Sequence, residues 1–185
     1  MIDHQNKIIF CHIPKTGGSS IESSFGLRKD HLYLKELRGY QKSHYRSFSF
    51  VRNPWDRMVS SFCFSKRPHE VLADNETRRE FENYIYKSYF EIKQTAKKEM
   101  DPQTWWIKNG YGEIDVDFIG RFENLSSDFI EMQKKFKISL PPIPHANKTI
   151  RDHYSKYYSS GQLVLLVKDM YKEEVDLFGY SFEKV

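Results

Sequence analysis

Two short loops hold the residues best suited to chemistry. The first, His12-Ile13-Pro14-Lys15-Thr16-Gly17-Gly18-Ser19-Ser20, follows an apolar run and opens a helical pattern. At such a junction the free backbone N–H groups and the positive end of the helix dipole converge, which favours an oxyanion. Gly17 and Gly18 let the backbone approach that anion closely, Ser19 and Ser20 add hydroxyl donors, and Lys15 adds a mobile positive charge. The order differs from a Walker A loop, where the glycines come before the lysine. A tight strand-to-helix turn with incidental polar residues would read the same way.

The second loop, Val51-Arg52-Asn53-Pro54-Trp55-Asp56-Arg57, runs on through Met58, Val59 and Ser60. Arg52 ends an apolar run, where its guanidinium can offer a bidentate fork to a phosphate. Ser60 falls about two turns into the helix that Pro54 opens and can supply a hydroxyl to the same group. Alternatively, Arg52 and Asp56 form a structural ion pair and Trp55 anchors the core. Asp56 and Arg57 read as structural.

The elements needed to hold these loops are legible around them. Lys7–His12 and Ser47–Val51 read as buried strands, and Val116–Gly120 as a third. Ser19–Phe25 reads as a helix start with Ser19 or Ser20 as its cap. Phe81, Tyr84, Ile85 and Tyr89 form one helical face, and Leu125, Phe129, Met132 and Phe136 another. A single final helix carries Leu163, Leu166, Val167, Met170 and Phe178. Strands alternating with helices predict an α/β fold with a mostly parallel central sheet, which binds ligands beyond the carboxyl ends of its strands.

Composition sets the class. The 185 residues predict one domain, with a normal 39% hydrophobic and 29% charged content. The aromatic share of 16% points to a bulky core, or to rings lining a cleft for a flat base or sugar face. A net charge of +4 with basic residues clustered only in pairs argues against a nucleic-acid partner. No apolar run is long enough to span a bilayer and the N-terminus is not a signal peptide, so a soluble, cytoplasmic protein with reduced Cys11 and Cys63 is expected.

Together the two loops resemble the two donor-binding signatures of the sulfotransferase superfamily, whose donor is 3′-phosphoadenosine 5′-phosphosulfate (PAPS). The form HIPKTGG…VRNPWDRMVSSF is most similar to the carbohydrate sulfotransferase branch, sulfotransferase family 2. Phe118-Ile119-Gly120-Arg121-Phe122-Glu123-Asn124-Leu125, Pro144-His145-Ala146-Asn147-Lys148-Thr149 and Phe178-Gly179-Tyr180-Ser181-Phe182 resemble that branch in order, nearly end to end. Ser19 stands where the family often has Thr, which keeps the hydroxyl. The chain is short for the animal enzymes and is expected to lack their membrane anchor.

The resemblance implies a P-loop-like three-layer fold and a single sulfotransferase domain over residues 1–185. It also implies transfer of the sulfuryl group from PAPS to a hydroxyl, a glycan hydroxyl by the branch, with adenosine 3′,5′-bisphosphate (PAP) as product. Lys15 would meet the leaving oxygen, Thr16, Gly17, Gly18, Ser19 and Ser20 the 5′ end, and Arg52 and Ser60 the 3′-phosphate. Arg121, Asn147 and Lys148 would border the nucleotide, or simply shape loops and caps. No metal is expected. A base is also needed, and histidine titrates in the right range, about pH 6.5. His31 lies where similar glycan enzymes place a histidine base; His44 is its rival, and His12 shapes the first loop. Trp105-Trp106 would stack on a sugar or pack in the core. Two other readings are a small-molecule kinase and a non-catalytic nucleotide-binding module.

Overall fold

In the computed structural model, apolar runs and amphipathic stretches give elements close to those expected. It describes residues 1–27, 31–37, 43–66, 70–94, 99–144 and 150–184. In chain order these are β1 (Ile2–Asp3), β2 (Ile8–Cys11), α1 (Gly18–Phe25), β3 (Arg46–Val51), α2 (Pro54–Lys66), β4 (Glu70–Val71) and α3 (Asn75–Gln94). Then follow α4 (Gln103–Ile107), β5 (Phe118–Arg121), α5 (Leu125–Phe136), β6 (Ile150–Arg151), α6 (Gly161–Met170) and α7 (Lys172–Phe178). The chain divides into two compact units, Met1–Arg52 with Gln103–Ala146, and Asn53–Pro102 with Asn147–Val185.

The first unit has the expected α/β arrangement. Its sheet runs β1-β2-β3-β5, antiparallel at the β1 edge and parallel elsewhere. All four residues of β2 are buried, as a strand covered on both faces requires. Ile8, Phe10, Phe48 and Phe50 pack in one cluster with Ile21 of α1 and Phe129, Met132 and Phe136 of α5. Each such side chain contributes about 1.5–3 kcal/mol by leaving water, which fixes the helices against the sheet. Register then does the positioning. Cys11 pairs with Ser49 and Val51 with Arg121, so the loops leaving β2, β3 and β5 share one edge of the sheet.

The second unit is mainly helical. Trp55, Met58, Val59 and Phe62 of α2 pack with Phe81 and Ile85 of α3 and with Leu163 and Val167 of α6. Trp55 is the core anchor, and its Nε1 donates to the Val164 carbonyl at 2.9 Å. Asp56 accepts from Arg151 at 2.5 Å. Arg57 donates to the carbonyls of Glu99 and Asp101 at 2.8 and 3.1 Å. Both residues hold the unit together.

Three differences from the expected elements have local causes. The final helix is two, interrupted at Tyr171, whose ring is buried and whose hydroxyl donates to the Met100 carbonyl at 3.0 Å. β1, β4, β6 and α4 are too short to show a period. The cap of α1 is Gly17 in the left-handed region at φ 82°, with no side-chain cap, so Ser19 and Ser20 lie inside the first turn. No helix among the described residues is long and apolar enough to cross a membrane.

Candidate functional site

The first loop is built to leave backbone donors open. Among the described residues, the amides of Gly17, Gly18 and Ser19 meet no protein acceptor, the donor set that a helix start presents to an anion. Thr16 is fully buried, and its hydroxyl donates inward to the Ile13 carbonyl at 2.9 Å, so it braces the loop from within. Lys15 itself is in the left-handed region at φ 70°, a conformation that costs a non-glycine residue about 1–2 kcal/mol.

Beneath the loop lies His12. A β-carbon on Gly18 would fall 2.0 Å from the His12 ring, so glycine is required there. The ring stacks on Phe10, and its Nδ1 meets Glu22 Oε1 of α1 at 2.8 Å. Burial pushes the His12 imidazole below its ordinary value, against the pull of Glu22 upward. His12 therefore shapes the loop from below, as its sequence position suggests.

Arg52 brings the second loop to the first. Its Nη1 donates to the Lys15 carbonyl at 2.9 Å, and its guanidinium carbon lies 3.8 Å from the centroid of Phe122. Phe122 and Leu125 also close the space beneath Gly17. Arg121 ends β5 beside Val51, and its amide is held by Asp128 at 2.7 Å.

The two candidate bases are separated by the sheet. His31 Nδ1 lies 3.0 Å from the His12 carbonyl, and the two rings are 4.2 Å apart. A carbonyl only accepts, so Nδ1 carries the proton and the neutral ring keeps its lone pair on Nε2. His44 stands just before β3, at the end opposite Arg52, and lines a cavity of about 340 Å³ with Arg46, Asp115 and Asp117. Arg46, which lines that cavity, and Arg52 stand at opposite ends of β3, six residues or about 20 Å apart at the usual rise.

The tryptophan pair divides. Trp106 is buried, stacked on Tyr33 at 4.3 Å and edge-on to His31 at 6.1 Å, while Trp105 is 40% exposed. Ser60 is half-buried on α2 in the second unit. Asn147 and Lys148 lie outside the described residues. Among those residues, no group of three His, Cys, Asp or Glu is placed to hold a metal.

The family model for the sulfotransferase family, of the family 2 type, matches residues 1–181. The chain belongs to the sulfotransferase family. The sulfotransferase is also similar to an uncharacterized protein of Archaeoglobus fulgidus, at 28% identity over 112 residues that cover 60% of this chain and 84% of that protein. Its α/β first unit, with helices flanking a mostly parallel sheet, fits the P-loop-like fold of that family.

Three residues of this sulfotransferase's candidate site have no distinct signal in sequence. Glu22 looks like an ordinary helix acid, Phe122 like one aromatic among many, and Gln103 like a loop polar group. Glu22 holds His12, and Phe122 lies under both Gly17 and Arg52. Gln103 bonds the backbone of Arg52 twice.

Proposed function

We propose that this sulfotransferase uses PAPS and sulfates a hydroxyl group, with a carbohydrate or glycoconjugate as acceptor. The observation that carries the reading is the Arg52–Lys15 contact, which joins the two cationic loops at one sheet edge. The open amides of Gly17 to Ser19 fit a 5′-phosphosulfate. Arg52 carries a planar guanidinium, the donor group whose geometry suits a 3′-phosphate, and it stands beside the Lys15 backbone.

PAPS, when bound, supplies an activated sulfuryl group on a phosphate leaving group. Lys15 places an ammonium beside the oxygen on which negative charge develops, and the amides of the cradle share that charge. His31 Nε2 takes the proton from the acceptor hydroxyl, held in the right tautomer by its bond to the His12 carbonyl. Arg52 binds the 3′-phosphate, and the family resemblance alone adds Ser60, Arg121, Asn147 and Lys148 to the donor-binding residues. Exposed Trp105 offers a ring face to a sugar, which supports the glycan reading. The match over residues 1–181 spans both compact units, which supports one sulfotransferase domain. Buried Cys11 and Cys63, which are not joined in a disulfide, suit a reducing, cytoplasmic setting.

The test is a thermal-shift comparison of PAP and ATP without magnesium, followed by labelled PAPS with glycan, lipid and phenolic acceptor panels. PAP should stabilise the protein more than ATP, and a glycan hydroxyl should be labelled. Preference for ATP would point to a kinase, and PAP binding with no transfer to any acceptor would point to a binding module.

A further inference from the structure

We infer that Gln103 is a positioning residue for donor binding, acting through Arg52; the inference rests on the PAPS reading above. Arg52 is the first residue beyond β3, where the sheet no longer supplies hydrogen-bond partners for its backbone. Gln103 replaces them. Its Oε1 accepts from the Arg52 amide at 2.8 Å, and its Nε2 donates to the Arg52 carbonyl at 2.8 Å. One side-chain amide thus does what a neighbouring peptide group would do, and extends the ladder by one residue.

Burial makes this pairing obligatory. Gln103 is 0% exposed and Arg52 only 5%, so water is not a ready substitute for either bond. A carboxylate at position 103 would lack the donor, and an apolar side chain would lack both groups. With its N–H and C=O both held, the Arg52 backbone has little freedom to turn. The side chain therefore leaves the strand in one direction, over the Phe122 ring and onto the Lys15 carbonyl. The same five-residue helix carries Trp106 against His31, so α4 supports both the anion clamp and the base candidate.

Both of these Gln103 bonds fall on the Arg52 backbone, so its action on donor binding passes through Arg52. That makes a signed, non-additive prediction. PAP affinity is measured by calorimetry for the native chain, Gln103→Met, Arg52→Ala and the double variant, with circular dichroism to verify folding. Gln103→Met should weaken PAP about tenfold or more in the native background and less than twofold in the Arg52→Ala background. In turnover it should raise KM for PAPS while leaving KM for the acceptor unchanged. A loss below threefold in the native background, or equal losses in both backgrounds, would overturn the inference.

Should Gln103→Met not fold, hydrogen exchange on the native chain decides. The Arg52 amide should be protected like an amide inside β3, and exchange at the rate of an open loop would refute the clamp. Failure of the native chain to bind PAP refutes the PAPS reading and this inference together; additive losses in a PAP-binding protein refute only the role of Gln103.

Discussion

The Arg52 guanidinium donates to the carbonyl of Lys15 across 2.9 Å and across 37 residues of sequence. Each cationic loop is thereby shaped by the other. Arg52 holds the peptide that follows the Lys15 side chain, in the stretch where the backbone is left-handed. A group expected to bind phosphate thus also fixes the residue expected to meet the leaving oxygen.

Removing Arg52 should therefore affect both binding and turnover. Arg52→Ala is expected to weaken PAP binding by about 2–3 kcal/mol, roughly 30- to 150-fold in Kd. It should also lower kcat at saturating PAPS, because the Lys15 peptide loses its tether. Arg52→Lys keeps a charge but loses the fork and the Phe122 stack, and should recover only part of either loss. Calorimetry and steady-state kinetics measure the two effects separately; an unchanged kcat in Arg52→Ala would show that the tether has no catalytic consequence.

Lys15 allows chemistry and backbone conformation to be separated. Lys15→Ala and Lys15→Gly should both lower kcat about 10²- to 10³-fold, the scale of losing one charge-stabilising donor. Their stabilities should differ. At φ 70° glycine avoids a penalty that alanine bears, so the glycine variant should be more stable by about 1 kcal/mol in urea denaturation. Equal stabilities would mean that the loop relaxes when the lysine is lost.

His31 is tested by its tautomer as well as its loss. His31→Ala should lower kcat about 10²- to 10⁴-fold, the usual range for a general base. In the native protein, nitrogen NMR of the ring should find the proton on Nδ1, as the bond to the His12 carbonyl requires. A neutral ring protonated on Nε2 would remove His31 from the base role.

His12 predicts a pH dependence of stability. Burial lowers its pKa in the fold, with Glu22 opposing and with His31 and the N-terminal amine adding to the lowering. Between that lowered value and the unfolded one, about 6.5, the unfolded chain binds more protons. This contribution to stability is therefore complete above about pH 6.5 and is lost as pH falls through that window. His12→Asn should show a shallower decline than the native chain in urea melts between pH 7 and 5. An identical decline would assign acid sensitivity to other groups.

What the sequence made legible is what local pattern encodes. The unbroken apolar run at Ile8–Cys11 gave its strand, and Phe129, Met132 and Phe136 gave the covering helix. The strand–loop–helix placement of Lys15 and Arg52 followed from those. The role of Gln103 was not legible, since its partner lies 51 residues away and no spacing marks a side chain that mimics a strand. Nor could adjacent Trp105 and Trp106 be told apart until packing buried one and exposed the other. Ser19 and Ser20 have the chemistry of caps, but Gly17 takes the position because its backbone turns left-handed.

The space above the His12 ring is contested ground. Because that imidazole already fills the volume a methyl at position 18 would need, the two positions cannot be varied independently. A mutant library that diversifies residue 18 alone would collect misfolded or rearranged loops and mistake them for lost catalysts. Pairing each larger residue at 18 with a smaller one at 12 is the only way to explore that corner of sequence space without collapsing the floor beneath it.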